Sequence, residues 1–254
     1  MEVKWLCEVA FWAFLGLAAV TAAAARCKRA FLARGTGVLA LFSGLILLGG
    51  ICAQTGRPPL SGSFEAFSYM ALVLVILALP SQFGKEADRA LAVLTWGAAS
   101  LLLAILALVP RQVNPDWYMY QYYWTRAFFL CRLTSMALLF YSALIALSWP
   151  RGSLENEPLR SYVTRSRRFL ILGTAVFLVG EVSGFYWRLT WLGDYWSWSR
   201  NFLESTMIFI LASIALHLPP KLAVKPRALR VAYSLPGLLA LSSYLAHLIT
   251  ESFK

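Results

Sequence analysis

The residues best equipped for chemistry in this chain are indoles, imidazoles and guanidinium groups at unusual places. In 191-WLGDYWSWSRN-201 the rings of Trp191, Trp196 and Trp198, with Tyr195, fall within eight residues. Clustered rings of this kind can lie at a lipid–water boundary, or they can offer a flat apolar platform to a planar ligand. A second cluster, 111-RQVNPDWYMYQYYWTRA-127, adds Trp117, Tyr118, Tyr120, Tyr122, Tyr123 and Trp124. The chain has only two histidines, His217 and His247. Each falls at the edge of an apolar run, where an ionisable side chain is costly and is a functional candidate; the alternatives are a helix C-terminal imidazole near water for His217 and an interfacial residue for His247. Imidazole is also the common axial ligand of haem iron, so both are candidate metal ligands. Arg132 sits inside an apolar run and is expected to find a carboxylate there, with Glu65, Glu181 and Glu204 as the available partners. No residue is assigned a catalytic role. There is no HExxH, no glycine-rich phosphate loop and no Ser-His-Asp order in useful context. The four cysteines, Cys7, Cys27, Cys52 and Cys131, are scattered and form no CxxC, so neither a disulfide framework nor a thiolate metal site is implied.

The elements that must position these residues are membrane helices. Of the 254 residues 59% are hydrophobic and 14% charged, against about a quarter charged in an ordinary soluble domain. Apolar runs long enough to span a bilayer recur along the whole chain. Eight spans are expected, at 6–25, 36–53, 66–82, 90–110, 128–149, 168–187, 202–218 and 232–250. Backbone groups in lipid must be satisfied within each segment, which predicts an all-α polytopic bundle and a single integral membrane domain over 1–254. The polar stretch 150–168 is the largest loop on its side and would part spans one to five from six to eight. No internal repeat is visible. Basic residues follow the first apolar run instead of preceding it, so that run is expected to be a retained helix and not a signal peptide.

The net charge of +11 is unevenly shared. Fifteen of the 23 Lys and Arg residues fall on the loops 26–35, 83–89, 150–168 and 219–231. The positive-inside rule places those loops in the cytoplasm and both termini, with the two aromatic clusters, on the outer side. The charge is therefore a topology signal and an attraction to anionic lipid, and nucleic acid is not an expected partner. Arg57, Arg111, Arg126, Arg188 and Arg200 fall on the outer side beside the aromatic clusters.

With these residues in view, the chain resembles the CcsA/ResC type of cytochrome c assembly protein over roughly residues 50–250. The segment 58-PPLSGSFEAFSY-69 is similar to that family's PLSNLYES segment at Pro59, Leu60, Ser61 and Glu65. The segment 135-SMALLFYSAL-144 is similar to the span after the family's outer histidine. The segment 193-GDYWSWSRN-201 resembles the tryptophan-rich motif WGxYWSWDPKE at Gly193, Tyr195, Trp196, Ser197 and Trp198. His217 follows Trp198 at the family's spacing for a membrane histidine, and 242-SSYLAHL-248 resembles the C-terminal segment that carries an outer axial ligand, here His247. The chain departs from the family pattern at Ser199, which stands where the motif has Asp, at Arg57, where a histidine commonly precedes the first segment, and at 131-CRLTS-135, where the outer histidine is missing.

The resemblance implies a bacterial inner-membrane protein with its tryptophan-rich loop facing the periplasm. It implies that haem lies against Trp191, Trp196 and Trp198, with His247 as one axial ligand and the second unassigned, Cys131 or a partner residue being able to serve. His217, at the inner end of its span, is a further candidate metal ligand, and Arg57, Arg132 and Arg200 are among the groups able to meet the propionates. Implied partners are an apocytochrome c and a ResB-type membrane protein. The departures support an alternative: a non-catalytic scaffold or accessory subunit of a larger cytochrome-containing respiratory or photosynthetic complex.

Overall fold

Long runs of Leu, Ala, Val, Ile and Phe with few polar residues favour helices wherever water is excluded, and the chain folds accordingly. The computed structural model describes residues 2–83, 89–111, 113, 121–149, 157–193 and 200–252. Among these the regular structure is all helical: α1 (Glu2–Arg26), α2 (Ala30–Thr55), α3 (Ser63–Phe83), α4 (Arg89–Ala107), α5 (Tyr123–Leu147), α6 (Glu157–Leu192), α7 (Arg200–Leu216), the one-turn α8 (Pro220–Ala223) and α9 (Pro226–Ser252). Seven of them are long and apolar enough to cross a membrane, and α7 contributes a shorter apolar stretch over Phe202–Leu216. All eight expected spans correspond to helices, and the protein is an integral membrane helical bundle.

Several helices run beyond their expected ends. α6 has 36 residues, about 54 Å at 1.5 Å per residue, whereas a bilayer core is about 30 Å thick. Its first turns occupy part of 150–168 and its last turns part of 188–201, both expected to be loops. Polar residues continue a helix readily once an apolar core has nucleated it, because propagation is cheap relative to nucleation. α6 stops at Leu192 because Gly193 takes a left-handed φ of 65°. Gly56, with φ 67°, ends α2 in the same way, its amide donating to the Cys52 carbonyl.

The helices sort into two compact units that meet in sequence at Gln121 and Tyr122. The partition thus falls between the fourth and fifth spans, not at the polar stretch after the fifth. In the first unit α1 packs on α2 and α4, and α3 packs on α2 and α4, closing a ring of four. In the second unit α5 packs on α6 and α9, and α7 packs on α9 and more lightly on α6, a second ring of four.

Small residues set the close approaches. On α2 the buried stripe Gly37, Ala40, Gly44, Leu47 and Ile51 faces its neighbours. On α6, a Cβ added at Gly173 would come within 3.0 Å of the Leu139 side chain. At Gly180 it would meet Cys131 at 3.3 Å, and at Gly184 the Phe128 ring at 2.7 Å. α5 is therefore clamped along a glycine rail. From the other side Gly237 of α9 presses on the backbone of Leu139 and Phe140. Glycine rails permit such backbone contact in membrane bundles, where apolar burial alone gives no net drive.

Candidate functional site: the aromatic end of the second unit

The order of the helices brings four helix ends together in the second unit: the start of α5, the end of α6, the start of α7 and the end of α9. Ring contacts join the first two. Trp191 meets Tyr122 edge-on at 4.7 Å between centroids, Trp124 stacks on Tyr186 at 5.0 Å and 21°, and Trp187 lies 5.9 Å from Phe128. α7 begins at Arg200, directly after the tryptophan-rich run. Trp196 and Trp198, and with them Ser199, Trp117, Tyr118 and Tyr120, lie outside the described residues.

Just below this end a polar network links all four long helices. Arg132 of α5 donates through Nη1 to Glu181 Oε1 of α6 at 2.6 Å and to Ser205 Oγ of α7 at 2.7 Å. Its guanidinium also lies 5.7 Å from the Phe128 ring centre and 5.9 Å from that of Phe177. The carboxylate expected for Arg132 is therefore Glu181. Tyr244 of α9 joins the same group through Arg132, in the field of Glu181 and Glu204. One residue along α7, Glu204 accepts a hydrogen bond from Ser243 Oγ of α9 at 2.5 Å, and His247 Nε2 lies 3.4 Å from Glu204 Oε2. The His247 side chain is 35% exposed, so the imidazole is held by a carboxylate on one side and remains reachable on another.

His217 lies elsewhere. It follows the last turn of α7, exposed, with Nδ1 2.9 Å from the Ser213 carbonyl. Glu204 is thirteen residues earlier on α7, about 20 Å along the axis. His217 and His247 therefore cannot share one iron. The two histidines stand at opposite ends of the unit, as their places in the seventh and eighth spans imply, and the aromatic end holds one described imidazole, His247.

Arg57, expected on an outer loop among the arginines able to reach propionates, is consumed within the first unit. Its side chain is 0% exposed and grips Glu65 with both terminal nitrogens, Nη1 to Oε2 at 2.7 Å and Nη2 to Oε1 at 2.8 Å. Nη1 also donates to the Pro58 carbonyl, and Glu65 reaches back over the start of α3 to accept from the Ser61 amide. The segment 57–65 is a hydrogen-bonded corner in which both terminal nitrogens of Arg57 are taken up by Glu65 and the Pro58 carbonyl. The sequence held a signal for this pair that went unused: a lone acid in the first turn of an apolar helix, eight residues after a lone arginine.

No family model matches the chain. None of the curated proteins compared with it matches either. Among the described residues no three His, Cys, Asp or Glu side chains are grouped to hold a bare metal ion. A haem asks less of the protein, since the porphyrin supplies four of the iron's ligands and the chain adds one or two. His247, partly exposed and in contact with Glu204, is an imidazole that could serve in that way.

Proposed function

We propose that this protein handles haem at the aromatic end of its second unit, in the manner of a cytochrome c synthase component. The observation that carries the reading is the pairing of His247 with Glu204 in the first turns of α7, the helix into which the tryptophan-rich run leads. His247 would be an axial ligand, and Glu204 with Ser243 would hold its ring. Trp191, together with Trp196 and Trp198, would offer apolar faces that exclude water from the macrocycle. Arg200 is the arginine best placed in sequence to meet a propionate, since Arg57 and Arg132 already have carboxylate partners. Haem, when bound, would supply a redox-active iron and vinyl groups open to addition by the CxxCH thiols of an apocytochrome. The chain's own part is to bind, orient and desolvate.

The test is a pyridine haemochrome assay on the full chain purified from cells with ample haem, alongside His247→Ala and His217→Ala. The expected result is haem in the wild type, loss in His247→Ala and retention in His217→Ala. A wild-type protein without Soret absorption overturns the proposal.

One observation favours a second reading. Trp124 and Tyr186 are both exposed and stacked on each other, a rigid aromatic patch of the type enriched at protein interfaces. On that reading the protein is an accessory membrane subunit that braces a cytochrome-containing complex. Stoichiometric co-purification with such a complex, with no haem in the isolated subunit, is its signature.

A further inference from the structure

The opposite end of α6 carries a feature that the haem reading does not use. Arg160, Ser161, Thr164, Arg165, Arg168 and Phe169 line an open groove of about 760 Å³, continued by Leu172. Their spacing puts them on one stripe: 160, 164, 168 and 172 form one row, and 161, 165 and 169 the next. Polar and cationic groups occupy the lower part of the stripe. The apolar part begins at Phe169, and the following run 169-FLILGTAVFLVG-180 contains no charge. The groove has guanidinium groups and hydroxyls at one end and aliphatic surface at the other, on a helix of 36 residues that is longer than a bilayer core requires.

The groove is built rather than incidental. Arg165 Nη2 donates to the hydroxyl of buried Tyr141 at 3.1 Å, and Phe169 packs edge-on against the same ring at 4.8 Å. A reciprocal clasp fixes α6 to α5 at this level: Ser142 Oγ donates to the Ser166 carbonyl, and Ser166 Oγ to the Ser142 carbonyl, both at 2.9 Å. Arg160 and Arg168 are exposed, and no described carboxylate pairs with either. Leu172 is 48% exposed, a side chain left for lipid to cover.

We propose that this stripe is a binding site for an anionic phospholipid of the leaflet that meets the basic loops. Arg160, Arg165 and Arg168 grip the phosphate, Ser161 and Thr164 add hydroxyl contacts, and Phe169 and Leu172 line the first acyl carbons. Guanidinium forks suit phosphate oxygens, and each basic residue near a membrane surface adds to the attraction for anionic lipid.

The test measures lipid binding to the full chain in neutral detergent by native mass spectrometry, with thermal unfolding in parallel. The probes are phosphatidylglycerol, phosphatidylcholine and inorganic phosphate. The variants are Arg160→Gln/Arg168→Gln, both exposed and so compatible with folding, and Arg26→Gln/Arg29→Gln, which removes the same charge from the first unit. The wild type is expected to bind and be stabilised by phosphatidylglycerol well above phosphatidylcholine. The groove variant should bind it roughly 30-fold more weakly, at about tenfold per 1.4 kcal/mol and about 1 kcal/mol per arginine. The control variant should keep most of the binding. Equal loss in both variants means diffuse attraction and overturns the site. So does undiminished binding in the groove variant, equal binding of phosphatidylcholine, or occupancy by inorganic phosphate as tight as by the lipid.

Discussion

The Arg57–Glu65 pair gives the sharpest quantitative test of how this bundle is held. Replacing Glu65 with Gln preserves the shape of the side chain and removes its charge. Arg57 then remains at 0% exposure beside an amide that cannot satisfy both nitrogens. With charge centres about 4 Å apart and an effective dielectric of about 20, the lost attraction is about 4 kcal/mol. That agrees with the 3–5 kcal/mol, roughly, seen when one partner of a buried pair is removed. Arg111 and Glu8 supply an internal comparison. Their contact is 3.1 Å, but Glu8 is 41% exposed, so Glu8→Gln should cost less than about 1 kcal/mol. The assay is unfolding in mixed micelles, followed by intrinsic tryptophan fluorescence. Glu65→Gln should lose several times what Glu8→Gln loses, and Arg57→Met/Glu65→Leu should recover much of the deficit because no charge is left buried. If Glu65→Gln costs under about 1 kcal/mol, or the double variant is as unstable as the single one, the corner is not closed by charge. The double variant also bears on function: with Arg57 structural, it should retain haem at the wild-type level.

The remaining expectations concern the second unit. Glu204→Gln should weaken haem retention by about 10–100-fold without abolishing it, since the imidazole loses its orienting partner but not its nitrogen, and a haem titration reads this directly. Arg132 and Glu181 are unequally buried, their side chains 10% and 36% exposed, so Glu181→Gln should destabilise more than Arg132→Met in the same micelle assay, the stranded cation being the more buried of the two. Gly237→Ala should cost about 1–3 kcal/mol or more, because the added methyl meets the Leu139 carbonyl and not a movable side chain, and a fall in the yield of monodisperse protein would report it.

Different parts of this architecture were legible in the sequence for different physical reasons. The eight spans were readable because lipid demands continuous apolar helices, and Arg132 announced a carboxylate partner because a lone cation in an apolar run is costly. The helix ends were less readable. Nothing in lipid-span arithmetic stops α6 before Gly193, and the polar residues from Glu157 onward simply join it. The partition at Gln121 and Tyr122 was hidden because it depends on which helices touch, not on loop length. The burial of Arg57 was hidden because a short polar segment between two spans reads as an outer loop, whereas here it folds inward to bring the guanidinium onto Glu65. The α6 glycines were overlooked since each is unremarkable alone, and their common face appears only when α5 lies against it.

That common face bears on both ends of α6. Three kinds of contact fix its register on α5. The Ser142–Ser166 clasp acts near the basic end, Gly173, Gly180 and Gly184 act along the middle, and Arg132–Glu181 acts near the aromatic end. A slip of one helical turn, about 5.4 Å, would undo all three at once. Longitudinal sliding of α6 is thus opposed by hydroxyl pairs, backbone contact and charge together. The same register sets Arg165 against Tyr141 at one end and Trp191 against Tyr122 at the other. A site supported on rigid helices holds its geometry better than one supported on loops. In this unit the aromatic end is carried by helix ends: α6 runs to Leu192 and α7 begins at Arg200. Loosening the clasp by Ser166→Ala should therefore disturb the groove at the basic end and leave the aromatic end in place, because the glycine rail and the Arg132–Glu181 contact still hold α6 between them.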